Sequence, residues 1–188
     1  NGVTLKTLLE EHKTLSGKVA REILAQLFSA VSAAHEKGII HRDLKPDNIY
    51  VEKRAARYFV KVLDFGIAKF TWQRSLVTKV GAPLGTPKYM SPEQCLGHSD
   101  ITVAADIYAL GVILFEMFTG VLPFQKKSSV EMLLAHVHET PPRPSQIAPV
   151  SVPLERLILW ALNKSPKDRP ASVQDLAAHV IAVLEQES

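Results

Sequence analysis

Asp43, Lys45, Asn48 and Asp64 carry side chains suited to one kind of chemistry. Asp43 offers a carboxylate that can orient an incoming hydroxyl and take its proton. Lys45, two residues on, can reach a γ-phosphate oxygen from the same side. Asn48 and Asp64 offer an amide oxygen and a carboxylate, hard donors for magnesium, which takes few protein ligands and completes its shell with phosphate oxygens and water. Phosphoryl transfer needs little covalent help; it needs positioning and charge neutralisation. The octet His41-Arg42-Asp43-Leu44-Lys45-Pro46-Asp47-Asn48, followed by Asp64-Phe65-Gly66, therefore reads as a set for moving the terminal phosphoryl of ATP onto an alcohol.

The surrounding segments must hold that set in place. Thr4 is placed to cap a short helix with Leu5, Leu8 and Leu9 on one side. Ser16 is a second start signal, and the helix after it carries the stripe Val19, Ile23, Leu27, Val31. Gly38 can end that helix in a left-handed cap. Asn48 to Val51 and Phe59 to Leu63 are short and rich in β-branched and aromatic residues, which predicts a hairpin with the charged stretch Glu52 to Arg57 between its strands. Asp64 to Glu93 has no periodicity and reads as a long functional loop. Helix resumes near Val103 and ends at Gly120. Ser128 with Glu131 forms a capping box for a helix through about His138. Thr140 to Pro153 is proline-rich and extended. Two last helices are expected, about Leu154 to Asn163 and, after Ser172 with Asp175, about Val173 to Gln186. The balance is mainly α with one small β-hairpin.

Composition narrows the classes. A chain of 188 residues can bury one good core with room for at most a small extra lobe, and 46% hydrophobic with 22% charged residues is ordinary for a globular protein. The net charge of +3 is a mild basic bias without the basic cluster and interleaved aromatics of a nucleic-acid site, so no nucleic-acid partner is expected. Cys95 is the single cysteine, which rules out an internal disulfide and fits a reducing cytoplasm. The most apolar window, Ile101 to Val121, contains Asp106, Gly111 and Glu116 and reads as a buried helix, not a membrane span. His136 and His138 have no companions at zinc spacing. The chain opens on Asn1, not Met, and is read as a fragment.

The octet resembles the catalytic loop of eukaryotic-type protein kinases, and Asp64-Phe65-Gly66 resembles their metal-binding motif. Gly85-Thr86-Pro87-Lys88-Tyr89-Met90-Ser91-Pro92-Glu93 resembles the end of the kinase activation segment, with Ser91 where alanine is commoner. Asp106 with Gly111 resembles the start of the family's central helix, and Lys167-Asp168-Arg169-Pro170 its late arginine motif. These occur in family order along nearly the whole chain. Lys45-Pro46 after Asp43-Leu44 is the serine/threonine version, and the run Gly85 to Gln94 looks most like bacterial receptor-type kinases.

The resemblance implies a fold and a set of roles. The fold would be a kinase C-lobe, mainly α here and α+β as part of a whole kinase, with a long activation segment. Asp43, Lys45 and Thr86 would serve catalysis, Thr86 by bridging Asp43 and Lys45. Asn48 and Asp64 would hold Mg2+, and with Lys45 and Tyr50 would bind ATP. Tyr50 has two readings of equal weight, stacking on adenine or packing in the hairpin. Arg42 and Lys69 would receive an activating phosphate, best placed on Thr78, with Ser75 and Thr71 next. His41 and Phe65 would belong to the hydrophobic spine, Gly66 would complete the metal-binding motif, Asp106 would anchor the loop, and Glu93 would pair with Arg169 in the interior. The partners implied are serine- and threonine-bearing proteins. A receptor-type parent further implies a cytoplasmic domain with a membrane tether outside residues 1–188 and a homodimer.

None of the nine glycines forms the Gly-x-Gly-x-x-Gly loop that covers ATP phosphates, and no strand lysine–helix glutamate pair precedes the octet. Residues 1–188 are therefore expected to be one C-lobe without the N-lobe, inactive alone. A non-catalytic scaffold is the competing expectation.

Overall fold

One helix is buried along almost its whole length, and the other elements are arranged around it. The structure is a computed structural model that describes residues 2–15, 17–65 and 87–187. Gly66, Lys69, Thr71, Ser75, Thr78 and Thr86, all singled out above, lie outside the described residues.

Chain order begins with a strand, β1 (Gly2–Thr4), then α1 (Leu5–His12) and α2 (Gly17–Glu36). Next come a 3₁₀ turn at Pro46–Asn48 and strands β2 (Ile49–Arg54) and β3 (Arg57–Val62). Helices α3 (Pro92–Cys95), α4 (Ala104–Thr119), α5 (Ser129–His138), α6 (Val152–Ala161) and α7 (Val173–Gln186) follow, with 3₁₀ turns at Pro144–Gln146, inside the stretch expected to be extended, and at Pro166–Asp168. Mainly α with one small sheet is the expected class.

Ser16, read as the start signal of α2, also lies outside the described residues; the signals at Thr4, Gly38, Ser128 and Ser172 act as read. The Thr4 hydroxyl accepts the Thr7 N–H at 3.2 Å. After α2, Gly38 adopts φ 72°, and its N–H donates to the His35 carbonyl while Ile39 N–H donates to Ala34. That pair of bonds is a Schellman cap, which needs a left-handed residue at this position. Ser128 and Ser172 cap α5 and α7 through the Glu131 and Asp175 N–H groups.

In α4 every residue except Glu116 and Phe118 is buried. A helix apolar all round belongs in a core, and α4 packs against α6 there. Their approach is close because Gly111 lacks a side chain: a Cβ there would lie 2.9 Å from the Ala161 Cβ. Tyr108, Phe28 and Phe115 are the bulkiest of the fully buried side chains.

Three details differ from expectation. The hairpin strands are longer and their turn shorter: the ladder runs from Ile49↔Val62 to Arg54↔Arg57, leaving only Ala55 and Ala56 in the turn. The charges of Glu52 to Arg57 mark a solvated strand face, not a loop. Arg54 pairs with Glu52 at 2.8 Å and lies over the Phe59 ring at 5.0 Å. A third strand is present, since β1 pairs antiparallel with β2 in the register Gly2↔Glu52. Finally, α6 starts two residues early. Pro153 stands in its first turn, where its missing N–H costs nothing.

Candidate active site

The octet lies between the end of α2 and β2, and its backbone is pinned from below by one carboxylate. Asp106, in the first turn of α4, is 1% exposed. Its Oδ2 accepts the His41 N–H and the His35 Nε2–H, each at 2.8 Å, and its Oδ1 accepts the Arg42 N–H at 2.8 Å. The helix dipole favours a negative charge at this position. Arg42 takes φ 64°, a conformation costing an L-residue roughly 1–3 kcal/mol, which persists only where the surroundings enforce it.

His41 closes the loop from the other side. Its Nδ1 accepts the Asp43 N–H at 3.3 Å, so Nε2 carries the proton and donates to the Leu63 carbonyl at 2.9 Å. The ring is fully buried, 4.8 Å from that of Phe65. Leu63 in turn donates its N–H to the Asn48 carbonyl at 2.8 Å. Both polar groups of Leu63 are thus tied to the octet. That junction brings Asp64, with φ 51°, into place beside Asn48's segment.

The reactive side chains converge at the surface. Lys45 Nζ lies 3.1 Å from Asp43 Oδ2, both groups about a third exposed or less. Asn48 Nδ2 donates to the Asp43 carbonyl at 2.9 Å and, at 3.4 Å, to its Oδ2. Two acceptors facing the amide nitrogen fix its orientation and leave the amide oxygen for another partner. Asp64 is exposed. An amide oxygen and an exposed carboxylate suit magnesium. Among the described residues no group of three or more His, Cys, Asp or Glu side chains could hold a metal by itself. Tyr50 lies in β2, half-buried, with its ring over Gly2 and its hydroxyl accepting the Gly2 N–H at 2.9 Å. That contact ties the Tyr50 side chain to β1.

The platform after the loop is held separately. Arg169 reaches Glu93 with two bonds of 2.7 and 2.8 Å. Its remaining N–H groups donate to the carbonyls of Asn163, Ala104 and Lys164. Burial is the largest single influence on Glu93 and works to raise its pKa, but the hydrogen bonds and the charge of Arg169, with smaller hydrogen bonds, together outweigh it and the net shift is downward. Nearby, burial pushes the Cys95 thiol up to about 12, so it is no thiolate nucleophile.

Two relationships were not legible in the sequence. Tyr89 donates its hydroxyl to Glu116 at 2.6 Å, at the edge of a cleft of about 570 Å³ that Lys6, Lys45, Asp47 and Lys88 also line. Burial raises the pKa of both Tyr89 and Glu116. Gln94 donates Nε2–H to the Arg42 carbonyl at 2.7 Å. The pairing of Tyr89 with Glu116 has no local signature; Ser91-x-x-Gln94 has the spacing of a capping box, which marks the start of α3 but does not point to Arg42.

Comparison with known proteins agrees with this geometry. The family model described as protein kinase domain matches residues 1–181. The chain belongs to the protein kinase family. It is 49% identical over 174 residues to serine/threonine-protein kinase pkn3 of Myxococcus xanthus, covering 89% of this chain and 31% of that protein. It is 50% identical over 153 residues to Pkn1 of the same organism, covering 80% and 22%. With serine/threonine-protein kinase PknB of Mycobacterium leprae it shares 39% over 184 residues, covering 97% and 29%. The chain thus spans about a third or less of these relatives. Among solved structures, Rad53 1–466 in complex with AMP-PNP superposes with a TM-score of 0.73 at 26% identity, covering 95% of this chain and 44% of that one.

Proposed function

We propose that the protein carrying this chain is a serine/threonine protein kinase that transfers the ATP γ-phosphoryl to protein hydroxyls. The observation that carries this is the Asp43 carboxylate, fixed on a pinned loop with Lys45 3.1 Å away and Asn48 bonded to the same residue. Asp43 orients the acceptor hydroxyl and takes its proton, and Lys45 steadies the transferring phosphoryl. Asn48 and Asp64 would hold Mg2+, which when bound neutralises charge on the phosphates. Thr86 is assigned to bridge Asp43 and Lys45.

Residues 1–188 act as the C-lobe, and an N-lobe in the parent chain supplies the glycine-rich loop and nucleotide lysine. Alone, this chain turns over far below ~1 s⁻¹, the low end for kinases. Arg42 and Lys69 form the pocket for an activating phosphate on Thr78. Phosphopeptide mapping of the parent that finds no phosphate between residues 71 and 86 would remove that assignment. Among the described residues no helix is long and apolar enough to cross a membrane. The parent is assigned a cytoplasmic catalytic domain, with a membrane tether and a homodimer contact in segments outside residues 1–188, on the receptor-type resemblance of the run Gly85 to Gln94.

The test is transfer of labelled phosphate from ATP–Mg2+ to serine- and threonine-containing peptides by the parent chain. Asp43→Asn is expected to abolish it without unfolding the protein. A parent that folds but labels nothing, and behaves identically with Asn at 43, would point to a scaffold.

A further inference from the structure

We propose that Gln94 is a positioning residue that couples the docked end of the activation segment to the backbone of Asp43. The inference rests on the phosphoryl-transfer reading of the octet. Gln94 is 5% exposed, in α3, directly after Glu93. Its Oε1 accepts two bonds from Ser91, the N–H at 3.0 Å and the hydroxyl at 3.1 Å. With the oxygen so occupied, Nε2 is the outward donor, and it donates to the Arg42 carbonyl at 2.7 Å, across 52 residues of sequence.

That carbonyl belongs to the peptide joining Arg42 to Asp43. The N–H of the same peptide goes to His41 Nδ1, and the preceding N–H, that of Arg42, goes to Asp106. Arg42 is the residue with φ 64°. A left-handed non-glycine residue relaxes unless its flanking peptides are over-determined. Asp106 fixes the peptide before Arg42, and Gln94 fixes the carbonyl of the peptide after it. The plane of the second peptide sets the direction in which the Asp43 side chain leaves the loop. Gln94 in turn stands on α3, which Arg169 clamps through Glu93. Undocking of α3 would therefore release the peptide that aims the proton acceptor. Displacements on the scale of 1 Å at such a group cost up to about 10²-fold in rate.

The experiment compares Gln94→Glu and Ser91→Ala with wild type in the parent chain. Glu at 94 keeps an acceptor for both Ser91 donors but loses the N–H that holds the Arg42 carbonyl. Alanine at 91 removes the hydroxyl and leaves the Gln94–Arg42 bond. For Gln94→Glu, kcat is expected to fall about tenfold or more while the KM for ATP stays within about twofold. Exchange of the Asp43 amide hydrogen is expected to rise about tenfold beyond any rise at core amides of α7, which correct for the general destabilisation that a buried carboxylate brings. Ser91→Ala should do neither. Unchanged kcat and unchanged Asp43 exchange in Gln94→Glu would overturn the coupling, as would equal losses in both variants. If the wild-type parent proves inactive, the kinase reading falls, and amide exchange still decides whether Gln94 holds the loop.

Discussion

Arg169 meets Glu93 through a two-bond fork with its own side chain wholly out of solvent. All five guanidinium N–H groups are used, two on the carboxylate and three on backbone carbonyls. Removing the arginine strands both a buried carboxylate and the carbonyls of Asn163, Ala104 and Lys164. Arg169→Met should therefore destabilise the fold by about 3–5 kcal/mol in chemical denaturation. Glu93→Leu combined with Arg169→Met should cost less than the sum of the single changes, because neither partner is then left charged and alone. Additive losses would mean that the pair is not coupled.

Asp106→Asn tests the loop anchor. The carboxylate accepts three hydrogen bonds from His35, His41 and Arg42, and an amide offers one oxygen in place of two. The variant should lose about 1–3 kcal/mol of stability, and amide exchange at His41 and Arg42 should accelerate. Retained protection at both amides would show that Asp106 is not what holds them.

His136 makes stability depend on pH. It is fully buried, its Nδ1 lies 2.9 Å from the Tyr108 hydroxyl, and its Nε2 has no hydrogen-bond partner among the described residues. Burial, reinforced by the charge of Lys164, pushes its pKa down to about 4 from an ordinary value of 6.5. Between those values the unfolded chain binds the proton and the folded one does not. The His136 contribution is therefore complete above pH 6.5 and lost as pH falls toward 4, by about 3 kcal/mol. Denaturation at pH 7 and pH 4.5 should show a smaller drop for His136→Phe than for wild type. Equal drops would place the acid sensitivity elsewhere.

Gly111→Ala should be costly out of proportion to one methyl group. Its Cβ would meet Ala161 at 2.9 Å and Leu162 at 3.2 Å, both on well-packed side chains. Overpacking of this kind costs about 1–3 kcal/mol. The melting temperature would register it, and a shift of under 1 °C would show that α4 and α6 can part freely.

The helices and the octet were legible because their signals are local. Thr4, Gly38, Ser128 and Ser172 act within four residues of the groups they satisfy. What escaped depends on distance or on context. Strand β1 is three residues long and exists only because β2 offers an edge to pair with. The charges of Glu52 to Arg57 look like a loop until Arg54 is seen beside Glu52 and over Phe59. Pro153 looks like part of a connector, although proline suits a first helical turn. The contacts from Tyr89 to Glu116 and from Gln94 to Arg42 join residues 27 and 52 apart, which no periodicity links.

The anchor of the octet also imposes an order on synthesis. Asp106 holds amides 65 and 64 positions earlier in the chain, so the ribosome releases His41 and Arg42 long before the carboxylate that fixes them. A nascent chain ending short of α4 carries every reactive side chain of the octet with no defined geometry. Contacts of such long sequence separation form late. Truncated translation products are thus left without an assembled reactive centre, a safeguard that follows from where one aspartate falls in the reading frame.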